Sequence, residues 1–316
     1  MTEIYLVLEL SQSCNLDCLY CYNIWKEPQA QAAHEMDYRR ALQVIERMRS
    51  ACFIGGITYT GGEPLLCRDL FLIAAEVQRL GLPQSITTNG MLVGPDEARK
   101  LKESGFAHAE VSIPSVNEEL YRKICGGGSL KQARAAVLHM AGQKIRCSVS
   151  AVLTALNHQE LREMIGIAAA LGAGHFLLNR FVAGGRGLKF RNELDLSRQQ
   201  LQEVLETAER ASADFRIPVI VNIPMEHCLY STADLKHLHF SSCECGRFKW
   251  LAGADGLLRT CEQNPETIGN ILEEETDFLM SKKITGDFRA RNLFADCESK
   301  PCYTRCGGGC RFVHTN

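Results

Sequence analysis

The 316-residue sequence predicts an α/β fold: a partial (β/α)6 TIM-like barrel followed by a small Cys-rich domain. Two patterns predict it. Before residue 190, apolar runs of strand length alternate with amphipathic helical runs, unit after unit. Beyond that point the periodicity fades and cysteines crowd the chain.

The elements follow in order. IYLVLEL (4–10) reads as a buried strand. In YRRALQVIERMRSA (38–51), Ala41, Val44, Ile45 and Met48 share one helical face. FIGGITYT (53–60) is the next strand. Asp69 is placed to cap the helix LFLIAAEVQRL, which stops at Gly81. QSITTNG (84–90) is a strand running into a turn. PDEARKLKESG (95–105) is a helix with Pro in its first turn and Gly past its end. HAEVSIP (108–114) is a strand, LKQARAAVLHMAGQ (130–143) a helix and IRCSVSAVL (145–153) a strand. Asn157 is expected to cap HQELREMIGIAAALG, and GHFLLNRF (174–181) is the sixth strand.

Such alternation implies parallel strands joined by right-handed crossovers. Six units are too few to close an eight-fold barrel, so the sheet should stay open, with ligands at the carboxyl ends of its strands. The unusual residues fall there: Cys14–Cys21 after strand one, GGEP after strand two, TNG after strand three. LSRQQLQEVLETAERASA (196–213) is then a helix with Ser197 near its start, and PVIVNIP (218–224) a short apolar run. From Cys243 the segment is not expected to build a core from its own apolar residues, and metal clusters would supply the crosslinks. The expected division is 1–190 for the barrel and 191–316 for a linker helix with the Cys-rich domain.

Composition narrows the function. Lys+Arg 35 against Asp+Glu 37 gives a net charge of −2, and no basic run marks a nucleic-acid binder. Hydrophobic residues at 46% are enough for a large core. No apolar run approaches the roughly 18 residues of a membrane span, and the start MTEIYLVLEL has no signal-peptide pattern. The expected location is the cytoplasm, where 15 cysteines, an odd number, point to metal or catalysis rather than disulfides. Cys52, Cys67, Cys125, Cys147 and Cys228 are scattered singly and read as structural thiols.

Cys14, Cys18 and Cys21 place three thiols within eight residues, with no histidine nearer than His34. Three thiolates without a local fourth ligand suit an iron–sulfur cluster with one open iron better than tetrahedral zinc. The Cys-x3-Cys-x2-Cys spacing, Tyr20 before the last Cys, and Gly61-Gly62-Glu63-Pro64 after the second strand resemble the radical S-adenosylmethionine enzymes. The resemblance implies a three-Cys [4Fe–4S] cluster whose open iron chelates S-adenosylmethionine. It also implies reductive cleavage to a 5′-deoxyadenosyl radical that takes hydrogen from substrate.

Under that resemblance Gly61 and Gly62 let backbone approach the methionine moiety, and Glu63 favours its ammonium. Tyr20 would lie near the adenine. Asn89 and Ser112 would bond its carboxylate or ribose, and Ser150 and Arg180 extend the set. Gly-Gly after a strand and Asn89-Gly90 are equally ordinary turn signals, and Ser112 could be a core hydroxyl; only their coincidence at one mouth favours ligands. Relatives often carry Ser-x-Asp after the fourth strand, whereas this chain has Ser112-Ile113-Pro114.

The C-terminal spacing Cys243-x-Cys245-x15-Cys261, then Cys297-x4-Cys302-x3-Cys306-x3-Cys310, is similar to the SPASM or twitch extensions of peptide-modifying members. The match assigns Cys243, Cys245, Cys261 and Cys310 to a first auxiliary [4Fe–4S] cluster, and Cys297, Cys302 and Cys306 to a second. The family's C-x2-C-x5-C is here C-x4-C-x3-C, and the fourth ligand expected downstream is missing. An open iron, His314, or no second cluster are the alternatives, and a zinc knuckle is the rival reading.

The function expected from the resemblance is radical modification of a peptide or protein side chain, such as a thioether or C–C crosslink in a genetically encoded precursor. Tetrapyrrole or cofactor maturation is the alternative, and a non-catalytic iron–sulfur electron carrier the rival from another class. The first strand begins near residue 4, so a leader-binding domain is not expected before it; a separate leader-binding protein and a low-potential electron donor are the expected partners.

Overall fold

The computed structural model describes residues 2–26, 34–292 and 296–313. Six strands follow the expected units: β1 (Glu3–Ser11), β2 (Phe53–Gly61), β3 (Gln84–Thr88), β4 (His108–Ser112), β5 (Arg146–Leu153) and β6 (His175–Arg180). The helices between them are α1 (Tyr38–Ala51), α2 (Leu70–Arg79), α3 (Pro95–Glu103), α4 (Glu118–Cys125), α5 (Leu130–Gly142) and α6 (Leu161–Ala170). Next come α7 (Arg191–Leu194), α8 (Arg198–Phe215), β7 (Val219–Val221) and β8 (Leu238–Phe240). The C-terminal quarter holds β9 (Lys249–Ala252), β10 (Leu257–Arg259), β11 (Thr267–Asn270), α9 (Thr276–Ser281), α10 (Lys283–Ala290) and α11 (Tyr303–Cys306).

These strands form one sheet in the order β11-β10-β9-β1-β2-β3-β4-β5-β6-β7-β8. From β9 to β8 every neighbour is parallel, while β10 and β11 run antiparallel. The sheet does not close, so the open partial barrel expected from the six units is observed. Its helices bury the stripes that sequence marks out: Ala41, Val44, Ile45 and Met48 of α1 are all fully buried. Ser197 caps α8 through a reciprocal capping box with Gln200.

Four local expectations change. Asp69 stands at the start of α2 but makes no cap bond; its carboxylate accepts the Tyr38 N–H at 3.0 Å and ties two helix starts together. Asn157 is no cap either. Its buried amide accepts from Thr154 N–H and hydroxyl and donates to the Pro114 and Val152 carbonyls, locking the end of β5. Helix α4 was not marked by apolar period, yet Asn117 caps it with bonds to Glu119 and Leu120, and left-handed Gly126 ends it.

The fourth concerns the C-terminal quarter, which is more regular than its cysteine spacing implies. Strand β9 lies against the free edge of β1, and Trp250, Leu251, Ala252 and Leu258 join the buried core. The reason is edge satisfaction. β1 is buried along nearly its whole length, so its outer row of N–H and C=O groups needs a partner.

One buried ion pair fastens this junction. Arg259 of β10 meets the Glu9 carboxylate of β1 at 2.6 Å, and Trp25 donates to the other oxygen at 2.9 Å. Both charged side chains are almost wholly buried. Removing one partner strands the other, so Arg259→Met should cost about 3–5 kcal/mol. The double variant Glu9→Gln/Arg259→Met should regain most of that loss, as read from urea midpoints of the single and double variants; equal losses in both would contradict the pairing.

Candidate active site

The loop from Gln12 to Asn23 carries three cysteines and no strand or helix of its own. Its backbone is satisfied by neighbours. The N–H groups of Asp17 and Leu19 bond the Cys125 and Ile124 carbonyls, at the C-terminal end of α4, at 3.0 and 2.8 Å. The Gly62 N–H reaches Ser11 at 2.6 Å, and the Glu63 N–H reaches Ser13 at 2.9 Å. Gly187 donates to Cys21 at 3.0 Å, and Lys26 donates to Leu16. A Cβ on Gly62 would collide with the Ser13 carbonyl, and one on Gly126 with that of Asp17. Glycine at 62 is thus demanded by the stem of the cysteine loop.

Cys14, Cys18 and Cys21 are free, half-buried and close enough to perturb one another electrostatically. The Cys14 sulfur accepts the Leu16 N–H at 3.5 Å and lies 4.0 Å from the Asn89 amide. Burial pushes the Cys21 thiol up to about 11 and raises Cys14. Such thiols become ligands only by losing their protons as a cation binds, so loading this site must release protons to solvent. A soft donor set with amides turned on one sulfur fits an iron–sulfur cluster. Cys125 is buried as expected of a structural thiol, but it also hydrogen-bonds the Cys18 sulfur and borders the same cavity.

That cavity, about 550 Å³, opens at the carboxyl ends of the strands. Strand alternation turns polar side chains into it, beside apolar ones such as Val7 and Val152. Thr58, Thr87, Glu110, Ser112, Ser150 and Asn179 line it, while Ile57, Ile86, Ala109, Val111 and Leu178 are buried on the opposite face. Burial raises the Glu110 carboxyl, which hydrogen-bonds Ser150.

Of the residues singled out from sequence, Tyr20, Gly61, Gly62, Asn89, Ser112, Ser150 and Arg180 all border this cavity with the three N-terminal cysteines. Several have their polar groups already engaged: the Asn89 amide donates to Asn15 Oδ1 at 2.8 Å, and its oxygen accepts the Met91 N–H at 2.9 Å. Arg180 is buried and pairs with Glu226 through both of its terminal nitrogens, at 2.8 and 2.7 Å. Glu63 does not line the cavity. Its buried carboxylate accepts Thr88 hydroxyl at 2.7 Å, Asn89 N–H at 2.9 Å and Leu65 N–H at 3.3 Å. It latches GGEP to TNG instead of presenting charge to a ligand. Glu110, Lys249 and Glu262 are cavity residues that motif reading passed over. For Glu110 the signal was available: a carboxylate between Ala109 and Val111 in a strand must face a polar interior.

Cys243, Cys245, Cys261 and Cys310 also converge on the cavity. Cys245 hydrogen-bonds both Cys243 and Cys261, and Cys310 lies within electrostatic reach of Cys261 and Cys243. The Cys245 thiol pulls Cys243 down to about 6, aided by the backbone N–H groups of Cys245 and Arg311. Four soft donors in one place fit an iron–sulfur cluster or zinc. Beside them Lys249 and Glu262 pair at 2.5 Å. Cys297, Cys302 and Cys306 lie apart from the cavity lining, and His314 lies outside the described residues. Cys228, read as a structural thiol, is exposed rather than buried, and it hydrogen-bonds Cys302.

Burial raises the Glu63 carboxyl from 4.5 to about 7. The folded chain therefore holds this proton more tightly than the unfolded chain, and the group's stabilising contribution is lost as pH rises from 4.5 to about 7. In metal-free protein, the unfolding free energy of wild type relative to Glu63→Gln should fall by up to about 3 kcal/mol across that window and stay flat above it. Denaturant titrations at a series of pH values read this, and a flat difference throughout would overturn the dominance of burial over the Asn89, Thr88 and Leu65 hydrogen bonds at this carboxyl.

The family model of the radical SAM superfamily matches residues 8–168. The chain is 31% identical over 222 residues to a PqqA peptide cyclase of Gluconobacter oxydans, covering 68% of this chain and 60% of that protein. To the pre-heme d1 synthase of Dinoroseobacter shibae it is 29% identical over 192 residues, covering 59% and 46%. Against these two relatives, then, the chain spans between 46% and 60% of their length. The sporulation killing factor maturation protein SkfB of Bacillus subtilis is 23% identical over 296 residues, covering 93% of this chain and 67% of that protein. Among solved structures, Streptococcus suis SuiB bound to precursor peptide SuiA has a TM-score of 0.73 at 15% identity, covering 99% of this chain and 70% of that one, a likeness of fold. The thiol triplet at the barrel mouth and the family match over half the chain agree: this protein belongs to the radical SAM superfamily.

Proposed function

We propose that the chain is a radical S-adenosylmethionine enzyme that modifies a peptide or protein side chain, as a maturase forming a crosslink such as a thioether or C–C bond. One observation carries this reading: two groups of thiols border a single cavity at the strand ends. An electron carrier needs clusters near a surface, not a walled chamber between them. Cys14, Cys18 and Cys21 would hold the [4Fe–4S] cluster there, and with S-adenosylmethionine bound it would supply radical chemistry for hydrogen abstraction.

The chain's own residues hold, orient and exclude water. Cys14, Cys18 and Cys21 would ligate the catalytic cluster. Gly61 and Gly62 backbone, Asn89, Ser112 and Ser150 would face S-adenosylmethionine, with Tyr20 and Arg180 shaping its surroundings. Glu63 positions Asn89 rather than touching the ligand, as its bond to the Asn89 N–H supports. Glu110, its carboxyl raised by burial, can hold or accept a proton inside the chamber. Cys243, Cys245, Cys261 and Cys310 would hold one auxiliary cluster, and Cys297, Cys302 and Cys306 would contribute to a second. The barrel would comprise 1–190 and the auxiliary region 191–316.

A peptide substrate is favoured because the maturation protein SkfB aligns with 93% of the chain, cysteine-rich quarter included. The pre-heme d1 synthase aligns with 59% and supports tetrapyrrole chemistry as the second reading. A low-potential electron donor and a separate leader-binding protein would complete the system. No helix among the described residues is long and apolar enough to cross a membrane, and every cysteine is free, which supports work in the reducing cytoplasm.

Anaerobically reconstituted protein with dithionite and S-adenosylmethionine should release 5′-deoxyadenosine. Replacing Cys14, Cys18 and Cys21 together by Ala should abolish that release while leaving iron at the C-terminal sites. No release from wild type would favour the carrier; release from the triple variant would overturn the assignment of the catalytic cluster. A mass shift on a co-expressed precursor peptide would separate the peptide reading from the tetrapyrrole one.

A further inference from the structure

With Cys310 assigned to the first auxiliary cluster, the C-terminal thiols Cys297, Cys302 and Cys306 have no fourth thiol from their own segment among the described residues. Cys297 and Cys306 are buried, at 2% and 1% exposure, and neither is in a disulfide. Cys302 and Cys306 stand one helical turn apart at α11, where the Cys306 N–H bonds the Cys302 carbonyl at 3.2 Å, so their side chains share a face.

The loop between β7 and β8 brings a fourth. The Cys228 thiol hydrogen-bonds the Cys302 sulfur and lies within electrostatic reach of Cys297. This is not a chance approach of a loose loop, because residues on both sides of Cys228 grip the same C-terminal segment. Two residues before it, Glu226 is pinned by the buried Arg180 guanidinium and packs so closely on Gly309 that a Cβ there would meet its side chain at 2.6 Å. Four residues after it, the Thr232 hydroxyl bonds His227 at 2.7 Å and receives Arg305 of α11 at 3.5 Å. Farther along, Arg198 of α8 donates to the Leu229 carbonyl. Cys228 is therefore held at the C-terminal thiols by contacts that do not involve its own sulfur.

We propose that Cys228 is the fourth thiolate of a second auxiliary [4Fe–4S] cluster, with Cys297, Cys302 and Cys306 as the other three. The ligand comes from upstream, out of the β7–β8 loop whose strands continue the parallel sheet beyond β6, so this cluster would staple that sheet to the C-terminal segment. With Cys228 beside Cys302 and Cys297, and Cys306 one helical turn from Cys302, the four thiols would suffice for a complete cubane with no iron left open for a substrate; its task would then be electron transfer or structure rather than ligand binding. The inference rests on the proposal that the C-terminal cysteines hold auxiliary clusters.

The test uses the full chain in the Cys14→Ala/Cys18→Ala/Cys21→Ala background, so that only auxiliary sites report. After anaerobic reconstitution, iron, sulfide and zinc are counted per chain, and the dithionite-reduced protein is examined by EPR. The parent should hold about eight irons, two cubanes. Adding Cys228→Ala should remove up to about four of them, or leave a three-iron cluster with a changed EPR spectrum. Cys228→Ser, which keeps the size and offers an oxygen ligand, should retain more iron than Ala while shifting the spectrum; circular dichroism and the first auxiliary cluster's signal check that each variant is folded. Unchanged iron and spectrum in Cys228→Ala, with loss in Cys297→Ala, would overturn the role of Cys228 alone. No loss in either variant would overturn the second auxiliary cluster itself. About one zinc per chain that disappears with Cys228→Ala would overturn its identity as an iron–sulfur site.

Discussion

Everything at the mouth of the barrel depends on a loop that cannot satisfy its own backbone. Between Gln12 and Asn23 there is neither ladder nor helix, yet the segment is packed among buried elements, where unpaired N–H and C=O groups are costly. Its partners are therefore recruited from three directions: the end of α4, the GGEP turn and the stretch around Gly187. This demand explains features that look unrelated in the sequence. Gly62 has no side chain because the Ser13 carbonyl occupies that space. Gly126 ends α4 so that its last carbonyls stay free to receive Asp17 and Leu19. Glu63 spends its carboxylate on Thr88 and Asn89, so that two strand ends present their residues in fixed relation to Cys14.

Behind the loop, the barrel resolves a conflict between solubility of a ligand and stability of a core. Strand alternation sends apolar residues outward under the helices and polar ones inward. The interior is thus a cavity, not a packed core, in which hydroxyls, amides and carboxylates on rigid strands share the wall with Val7, Val152, Phe181 and Phe312. Charges there act with little water to screen them, as the raised Glu110 carboxyl shows. A radical generated in such a space would meet few solvent molecules and a wall whose groups are already oriented.

How much of this was legible depended on range. The six strands and most helices were, because local period and turn residues specify them, and α1 buries the four residues its pattern marks. The cysteine loop and GGEP were legible as motifs. What escaped were long-range facts. The direction of the Glu63 carboxylate is decided by Thr88, twenty-five positions away. Asp69 and Asn157 have ideal capping identities but stronger tertiary partners in Tyr38 and Pro114. Helix α4 is short and flanked by the Gly126-Gly127-Gly128 run, which masks its period. Cys228 looked solitary because spacing sees neighbours in sequence only, and its partners come at the far end of the chain.

The joining of barrel and cysteine-rich quarter shows what buried charge is good for. Two ion pairs, Glu9–Arg259 and Arg180–Glu226, are each almost wholly buried and each bridge a barrel strand to a later segment. Such pairs give little net stability over apolar packing, because desolvation consumes most of their attraction. Their gain is geometric: a mispositioned partner leaves a bare charge in a low-dielectric interior, so alternative dockings are penalised. Arg259 sits two residues before Cys261, and Glu226 two residues before Cys228 and against Gly309, which adjoins Cys310. The pairs thus fix the registration of the very residues that line the chamber or gather at its flank. Apolar contact alone could slide by a turn or a strand position; a buried guanidinium with one matching carboxylate cannot.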